Sequence, residues 1–353
     1  MMVLIWGFMK ELKKNNRSLL LLLLLLLCSR HGTWGQTNDD SEFPILFYNV
    51  ENLFDCKDDS LTSDEQFLPD ALRHWNFKKY NDKINKIAKV ILASNGWDIP
   101  VLIGVSEVEN DAVLKRLVWE TGLSECGYRF LHHDSPDKRG MDVALLYRKD
   151  KFRILTDSAV NVSIQALNFF TRDILYVKGV AFNSDTLHVF VCHLPSQFGG
   201  SVASEPKRVM VARKIKGLCD SLLRLDPESK IVIMGDMNEN PGDKAVNTII
   251  GADGISGGKG FVDLAENLIA VKVKGTVKYH GRWEVFDQII VSQSLMKEPF
   301  RVEGMSVVGL SFLLEKDEAY SGVMPFRTFI GPKYNGGFSD HLPVKAVIIK
   351  GTK

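Results

Sequence analysis

Cysteine is scarce in this chain and placed for no chemistry of its own. Five occur in 353 residues. Cys28 follows a leucine run, and Cys56, Cys126, Cys192 and Cys219 form no CxxC or Cys/His spacing, which excludes a zinc finger and a dithiol redox motif. Cys192 and Cys219 stand in apolar stretches, where a buried free thiol is the usual state. An excess of positive charge is missing too. Lysine and arginine number 44 against 43 aspartates and glutamates, and without the first 35 residues the balance is 39 to 42. Such a chain has no basic field to hold nucleic acid tightly by phosphate neutralisation alone. The longest hydrophobic run, Leu19–Leu27, is far short of the roughly 20 residues that span a bilayer. No internal repeat and no shift of composition marks a second domain. Glycines cluster at Gly251–Gly260 but do not lead a strand into a helix at phosphate-loop spacing, so that stretch reads as a connection. What remains, 45% hydrophobic and 25% charged residues, is ordinary globular composition with enough apolar side chains for a large core.

The first segment reads as a targeting signal. Lys10, Lys13, Lys14 and Arg17 precede the leucines, and Thr33-Trp34-Gly35 follows. That order predicts a secretory signal peptide over residues 1–35, cleaved after Gly35. The mature protein is then exported, to the periplasm, the medium or the outer membrane. Lipoprotein attachment at Cys28 is disfavoured by Leu27 before it. Residues 36–43 read as a polar leader and 44–353 as one catalytic domain, a monomer with no stable membrane insertion.

Apolar periodicity predicts strands at 45–50, 101–108, 128–132, 143–148, 174–182, 187–193, 230–234, 285–291 and 343–349. Helices are expected at 80–93, after a cap at Asp111, and at 204–225 with Ser204 as N-cap. Residues 316–337 read as a long loop. Strands dominate without regular β-α alternation, which predicts mixed sheets covered by helices.

Polar residues recur where these strands end. Asn49, Glu107, His193, Asp236 with Asn238, Asp287, and Asp340 with His341 each break out of an apolar run. Buried charges need partners or a metal. A carboxylate with an amide oxygen suits a hard divalent ion such as magnesium. A histidine held by a carboxylate has a fixed tautomer and a raised pKa, and an aspartate can orient and deprotonate water. Taken singly, each residue has an ordinary structural reading as a turn residue, a helix-entry charge or a core histidine. The ordered set is far harder to produce by accident, and it points to metal-assisted phosphate ester hydrolysis.

The segments Tyr48-Asn49-Val50-Glu51-Asn52, Ser106-Glu107-Val108, Arg139-Gly140-Met141-Asp142-Val143-Ala144, Cys192-His193-Leu194, Gly235-Asp236-Met237-Asn238, Trp283 with Asp287-Gln288-Ile289, and Ser339-Asp340-His341 together resemble the endonuclease/exonuclease/phosphatase superfamily. The resemblance runs from about residue 44 to the C-terminus. It implies an α/β four-layer sandwich, two mixed β-sheets packed face to face with helices on the outside, and one or two divalent ions, Mg or Mn. It also implies roles. Glu107 is the main metal ligand, with Asn49 beside it. Asp340 helps hold the metal or the neighbouring His341. His341 is the catalytic histidine and Asp287 its carboxylate partner. Asp236 orients or activates water, Asn238 donates to the transition state, His193 binds phosphate and Arg172 contacts it. Where many relatives carry a tyrosine near the phosphate, this chain has His132 and His133.

The first functional expectation is therefore a secreted, Mg-dependent phosphodiesterase that cleaves nucleic acid by in-line water attack on phosphorus. The second is a phosphomonoesterase or lipid phosphodiesterase of the same fold, acting on inositol phosphate or sphingomyelin-like substrates. Glu284-Val285-Phe286-Asp287-Gln288 departs from the Trp-Cys-Asp-Arg run of inositol-polyphosphate phosphatases. Phe326 and Phe329 read as buried loop anchors rather than a membrane hairpin. A non-catalytic binding module would have lost a key residue, and none is missing.

Overall fold

Side-chain alternation along the strands builds this fold. A computed structural model describes residues 41–351, apart from 97, 252–259, 267 and 269–274. The expected signal peptide, Cys28, most of the polar leader and most of the glycine-rich connection lie outside the described residues. In chain order the strands are β1 (Glu42–Leu53), β2 (Leu102–Val108), β3 (Tyr128–His132), β4 (Asp142–Arg148), β5 (Arg153–Val160), β6 (Ile174–Ala181), β7 (Asp185–His193), β8 (Lys230–Asp236) and β9 (Phe261–Asp263). The short hairpin β10 (Val277–Tyr279) and β11 (Arg282–Glu284) precedes β12 (Asp287–Ser292) and β13 (Phe300–Val307). Two further hairpins, β14 (Leu314–Lys316) with β15 (Val323–Pro325) and β16 (Phe329–Ile330) with β17 (Lys333–Tyr334), lead to β18 (Val344–Lys350). The helices are α1 (Phe77–Ala93), α2 (Asp111–Trp119), α3 (Ser201–Leu225) and α4 (Lys244–Ile250).

Two six-stranded sheets result, ordered β13-β18-β1-β2-β4-β3 and β5-β6-β7-β8-β12-β9. Both are mixed: β1 with β2 and β7 with β8 are parallel, their other pairings antiparallel. Successive side chains point to opposite faces, so each central strand feeds two cores. Ile45 and Phe47 of β1 meet Val232 and Met234 of β8 between the sheets. The intervening Leu46 and Tyr48 pack under α1 and α2, while Ile231 and Ile233 pack under α3 and α4. This is the four-layer α/β sandwich expected from the sequence. Among the described residues no helix is long and apolar enough to cross a membrane, and Cys56, Cys126, Cys192 and Cys219 are free thiols.

Local departures from expectation have local causes. The long helix starts at Ser201 with Gly200, not Ser204, as N-cap. Gly200 adopts φ +110°, which favours glycine. Ser204 lies in the first turn and donates its hydroxyl back to Gly200 O at 2.8 Å. Asn110 caps α2 in place of Asp111, accepting from the Ala112 and Val113 amides. Residues 316–337, expected as one loop, contain hairpin strands. Phe329 is buried there against Phe67, Trp75 and Tyr334, as the loop-anchor reading required.

Glycine sets how closely two strands approach the site. A Cβ at Gly235 would stand 2.3 Å from the Cys192 carbonyl oxygen on β7, and a backbone atom cannot swing away. Gly235→Ala is expected to cost about 2–3 kcal/mol through overpacking, read as a lower midpoint in chemical denaturation.

Candidate functional site

The same alternation that fills the inter-sheet core delivers the polar residues to its rim. Val189, Val191, Val232, Met234, Ile289 and Val291 point between the sheets. Two-residue periodicity then places His193, Asp236 and Asp287 on that face at the strand ends. Asp236 is the register partner of both His193 and Asp287, so the three stand side by side. Opposite them, Asn49 continues the row of Ile45 and Phe47. Glu107 would regularly face the helix layer with Ile103 and Val105. A bulge between Ser106 and Val108 and φ +64° at Glu107 break that alternation. Glu51, Asn52 and Asn238 also have φ between +50° and +53°, and such strained non-glycine residues concentrate at functional sites.

Asp236 is the hub. Its Oδ2 accepts the Asn49 side-chain amide at 3.0 Å and lies 3.4 Å from His193 Nε2 and 3.8 Å from His341 Nε2. Its Oδ1 accepts the Asn238 backbone N–H at 2.9 Å. The Asn49 amide also reaches Glu107 Oε1 at 3.3 Å, and Glu107 Oε2 accepts the Asn52 N–H at 2.8 Å. Burial, with the charge of Asp287, raises the Asp236 carboxyl to about 6 despite the opposing pull of His341. Burial would lower His341, but Asp287, 2.7 Å from Nδ1, and Asp236 hold it well above its ordinary value. His193 is pushed well below its own by burial and by the charges of Arg172, Arg139 and His341. The two imidazoles are thus pushed in opposite directions, His341 towards its charged form and His193 towards its neutral form.

The other expected residues fall into two groups. Asp340 pairs with Arg327 at 2.8 Å, and Arg172 is buried with its Nε 3.5 Å from Asp137. The Asn238 side-chain amide donates to Leu194 O at 3.0 Å. His132 and His133 are engaged elsewhere. His132 Nδ1 faces Asp111 at 3.1 Å and Nε2 faces Asp142 at 3.3 Å, while His133 Nε2 faces Asp157 at 2.7 Å.

The donor chemistry fits a hard divalent ion at Glu107, whose carboxylate is half-buried and backed by amides. Asn49 turns its amide nitrogen to the carboxylates, its oxygen accepting the Glu51 N–H at 3.0 Å, so it spaces Glu107 from Asp236. Asp236, Asp287 and His341 also bring ligand atoms within 4.8 Å of one another. The short His341–Asp287 contact makes that group a proton-holding pair.

Sequence reasoning missed the residues that hold the last segment in place. Glu51 accepts the Thr328 and Phe329 amides at 2.6 and 3.3 Å. Lys83, fully buried on α1, donates to Phe338 O at 2.9 Å and to the Thr328 hydroxyl, 3.9 Å from Glu51. Ser339 Oγ donates to Asn49 O at 2.7 Å and accepts the His341 N–H at 3.1 Å. Lys83 had a signal: it interrupts the apolar stripe of Tyr80, Ile84 and Ile87.

The sequence model of the Endonuclease/Exonuclease/phosphatase family matches residues 44–350. None of the curated proteins matches the chain. Among solved structures, D. rerio TDP2 complexed with a single-strand DNA product is 16% identical, with a TM-score of 0.55 over 87% of this chain and 99% of that one. A Bacteroides thetaiotaomicron mannosyl-6-phosphatase gives the same identity, score and coverage. The catalytic domain of human Nocturnin, with bound sulfate, is 15% identical at a TM-score of 0.55, over 88% of this chain and 95% of that one.

Two outcomes follow from the geometry. In Asp287→Asn, NMR titration should find the His341 pKa below the wild-type value, because the carboxylate at Nδ1 is gone. Lys83→Met leaves Glu51 buried without its cation and should lower unfolding free energy by about 3 kcal/mol, measured by urea denaturation.

Proposed function

Because the chain belongs to the endonuclease/exonuclease/phosphatase family, we infer that it hydrolyses a phosphate ester by in-line attack of water with a divalent metal, Mg or Mn, as cofactor. One observation carries this reading. Four chain segments that are remote in sequence bring Asn49, His193 and His341 around the buried Asp236 carboxylate. Asp236, raised to about 6, is ionised at neutral pH yet basic enough to orient water and take its proton. His341, kept charged by Asp287, donates from Nε2 to phosphate oxygens as negative charge builds on them. Neutral His193 and the buried Arg172 cation bind the non-reacting oxygens. The Asn238 backbone, bonded to Asp236, fixes the direction of its carboxylate. Glu107, assisted by Asp340, would hold the cation, which neutralises phosphate charge and stabilises the leaving oxygen.

We further propose that residues 1–35 direct export and that the mature domain is a monomer. Nucleic acid is the first substrate reading, supported by the fold likeness to TDP2 with its DNA product. A small phosphate ester is the second. The mannosyl-6-phosphatase likeness and the lack of surplus positive charge favour it.

A panel of plasmid DNA, RNA, bis-p-nitrophenyl phosphate, sphingomyelin, and inositol and sugar phosphates, assayed with Mg and with EDTA, tests the proposal. Turnover on at least one ester should vanish with EDTA and fall about a thousandfold or more in His341→Ala. Unchanged turnover in that variant would remove the mechanism.

A further inference from the structure

The turn Asp137-Lys138-Arg139-Gly140 brings a carboxylate and a guanidinium to the edge of the catalytic centre. Its own backbone shapes it. The Gly140 N–H donates to Asp137 O at 3.0 Å, and Asp137 Oδ1 accepts the Arg139 N–H at 2.9 Å. Gly140 has φ +69°, a conformation that favours glycine. The turn is fastened from outside as well, the Ser63 N–H donating to Lys138 O at 2.7 Å. Arg139 therefore stands on a fixed base, although its side chain is half-exposed. Asp137 lies between two guanidiniums. Its Oδ2 is 3.5 Å from Arg172 Nε, and its Oδ1 is 3.7 Å from Arg139 Nε. Both distances are longer than a hydrogen bond. The Arg172 Nε is buried without a hydrogen-bond partner. Among the described residues, neither guanidinium donates a hydrogen bond to any group.

We propose that Arg139 contacts the substrate's phosphate as a second guanidinium beside Arg172, and that Asp137 is a positioning residue that holds the two together. The inference rests on the phosphoesterase reading and adds these two residues to its binding step. A buried cation with unused donors is costly until an anion completes it. One carboxylate shared by two cations leaves one positive charge over, and that charge reaches the reacting centre. Arg172 acts on Glu107 and Asp236, and both arginines act on His193. Burial lowers the Arg172 pKa, Asp137 opposes that fall and Arg139 adds to it. The two cations therefore repel, and the carboxylate between them offsets the repulsion. A planar guanidinium binds two oxygens of a phosphate at once. Arg172, buried, presents one fork in a fixed place. Arg139, half-exposed, closes on the same anion from the solvent side.

The test reads phosphate binding apart from turnover. Inorganic phosphate is titrated into the protein in EDTA and followed by calorimetry, while kcat and KM are measured with Mg on an ester that the panel identifies. In Arg139→Gln, phosphate should bind about tenfold more weakly, and KM should rise by a similar factor while kcat changes less. Arg139→Lys restores the charge without the planar fork and should recover only part of the loss. Asp137→Asn separates two roles by sign. Its amide oxygen can still accept the Arg139 N–H, so the turn is kept, but it no longer offsets the repulsion of the cations. Phosphate should bind severalfold more weakly there, whereas removing a carboxylate that merely opposed the anion would tighten binding. Unchanged phosphate binding in Arg139→Gln, or unchanged or tighter binding in Asp137→Asn, would overturn the inference, as would a wild type that takes up no phosphate. If binding falls as expected yet no ester is hydrolysed, the anion site stands and the phosphoesterase reading falls.

Discussion

A carboxylate placed at the dry end of a central strand is the constraint on which the rest of this site depends. Asp236 is buried, and an ionised carboxylate out of water is several kcal/mol uphill unless other groups solvate it. Its own strand supplies none. Compensation comes from Asn49 on the other sheet, from His193 and Asn238 beside it, and from the His341 imidazolium near the C-terminus. The two sheets must therefore close in the correct register before Asp236 can be tolerated as an anion. A group that is solvated only when several elements meet is also one whose pKa those elements set. The basicity of Asp236 is thus a product of the sandwich as a whole.

The same logic explains why the C-terminal segment is tied down so heavily. Asp340 and His341 sit outside regular strand structure, and a histidine on a free loop would not keep its distance from Asp236. Two bonds from Glu51 to the backbone, the buried Lys83 ammonium and the Ser339 hydroxyl fasten this stretch to β1 and α1. Glu51 and Lys83 are each costly to bury, burial raising the carboxyl and lowering the amine. Their cost is offset by orienting backbone groups that would otherwise be mobile. Strain enters alongside: left-handed Glu51, Asn52 and Glu107 aim the ends of β1 and β2 at one point, and the surrounding bonds keep them there.

Much of this was legible in the sequence, for a physical reason. A polar residue closing an apolar strand can be seen without knowing its neighbours, which exposed Asn49, Glu107, His193, Asp236 and Asp287. Alternating burial likewise revealed the central strands. The edge strands β5 and β13 were not legible, because their exposed faces carry mixed residues with no clean period. Lys83 showed only as a break in the apolar stripe of α1, and a lysine in a helix is usually solvated, so its burial was not legible. The orientations of His132 and His133 depend on Asp111, Asp142 and Asp157, which lie on separate elements. Their identity as donors was visible but their partners were not. Gly200 as the cap of α3 required a positive φ that no spacing rule announces.

Charge in and around the site is balanced pair by pair. The His341 imidazole lies against Asp287 and Asp236, the buried Arg172 cation against Asp137, and His132 against Asp111 and Asp142. A buried charge is tolerated only when its partner arrives with it, and in each of these pairs the partners come from different segments of the chain. Closing the sandwich therefore brings the charged groups together and sets their directions in one step, so the order of the site follows from the order of the fold.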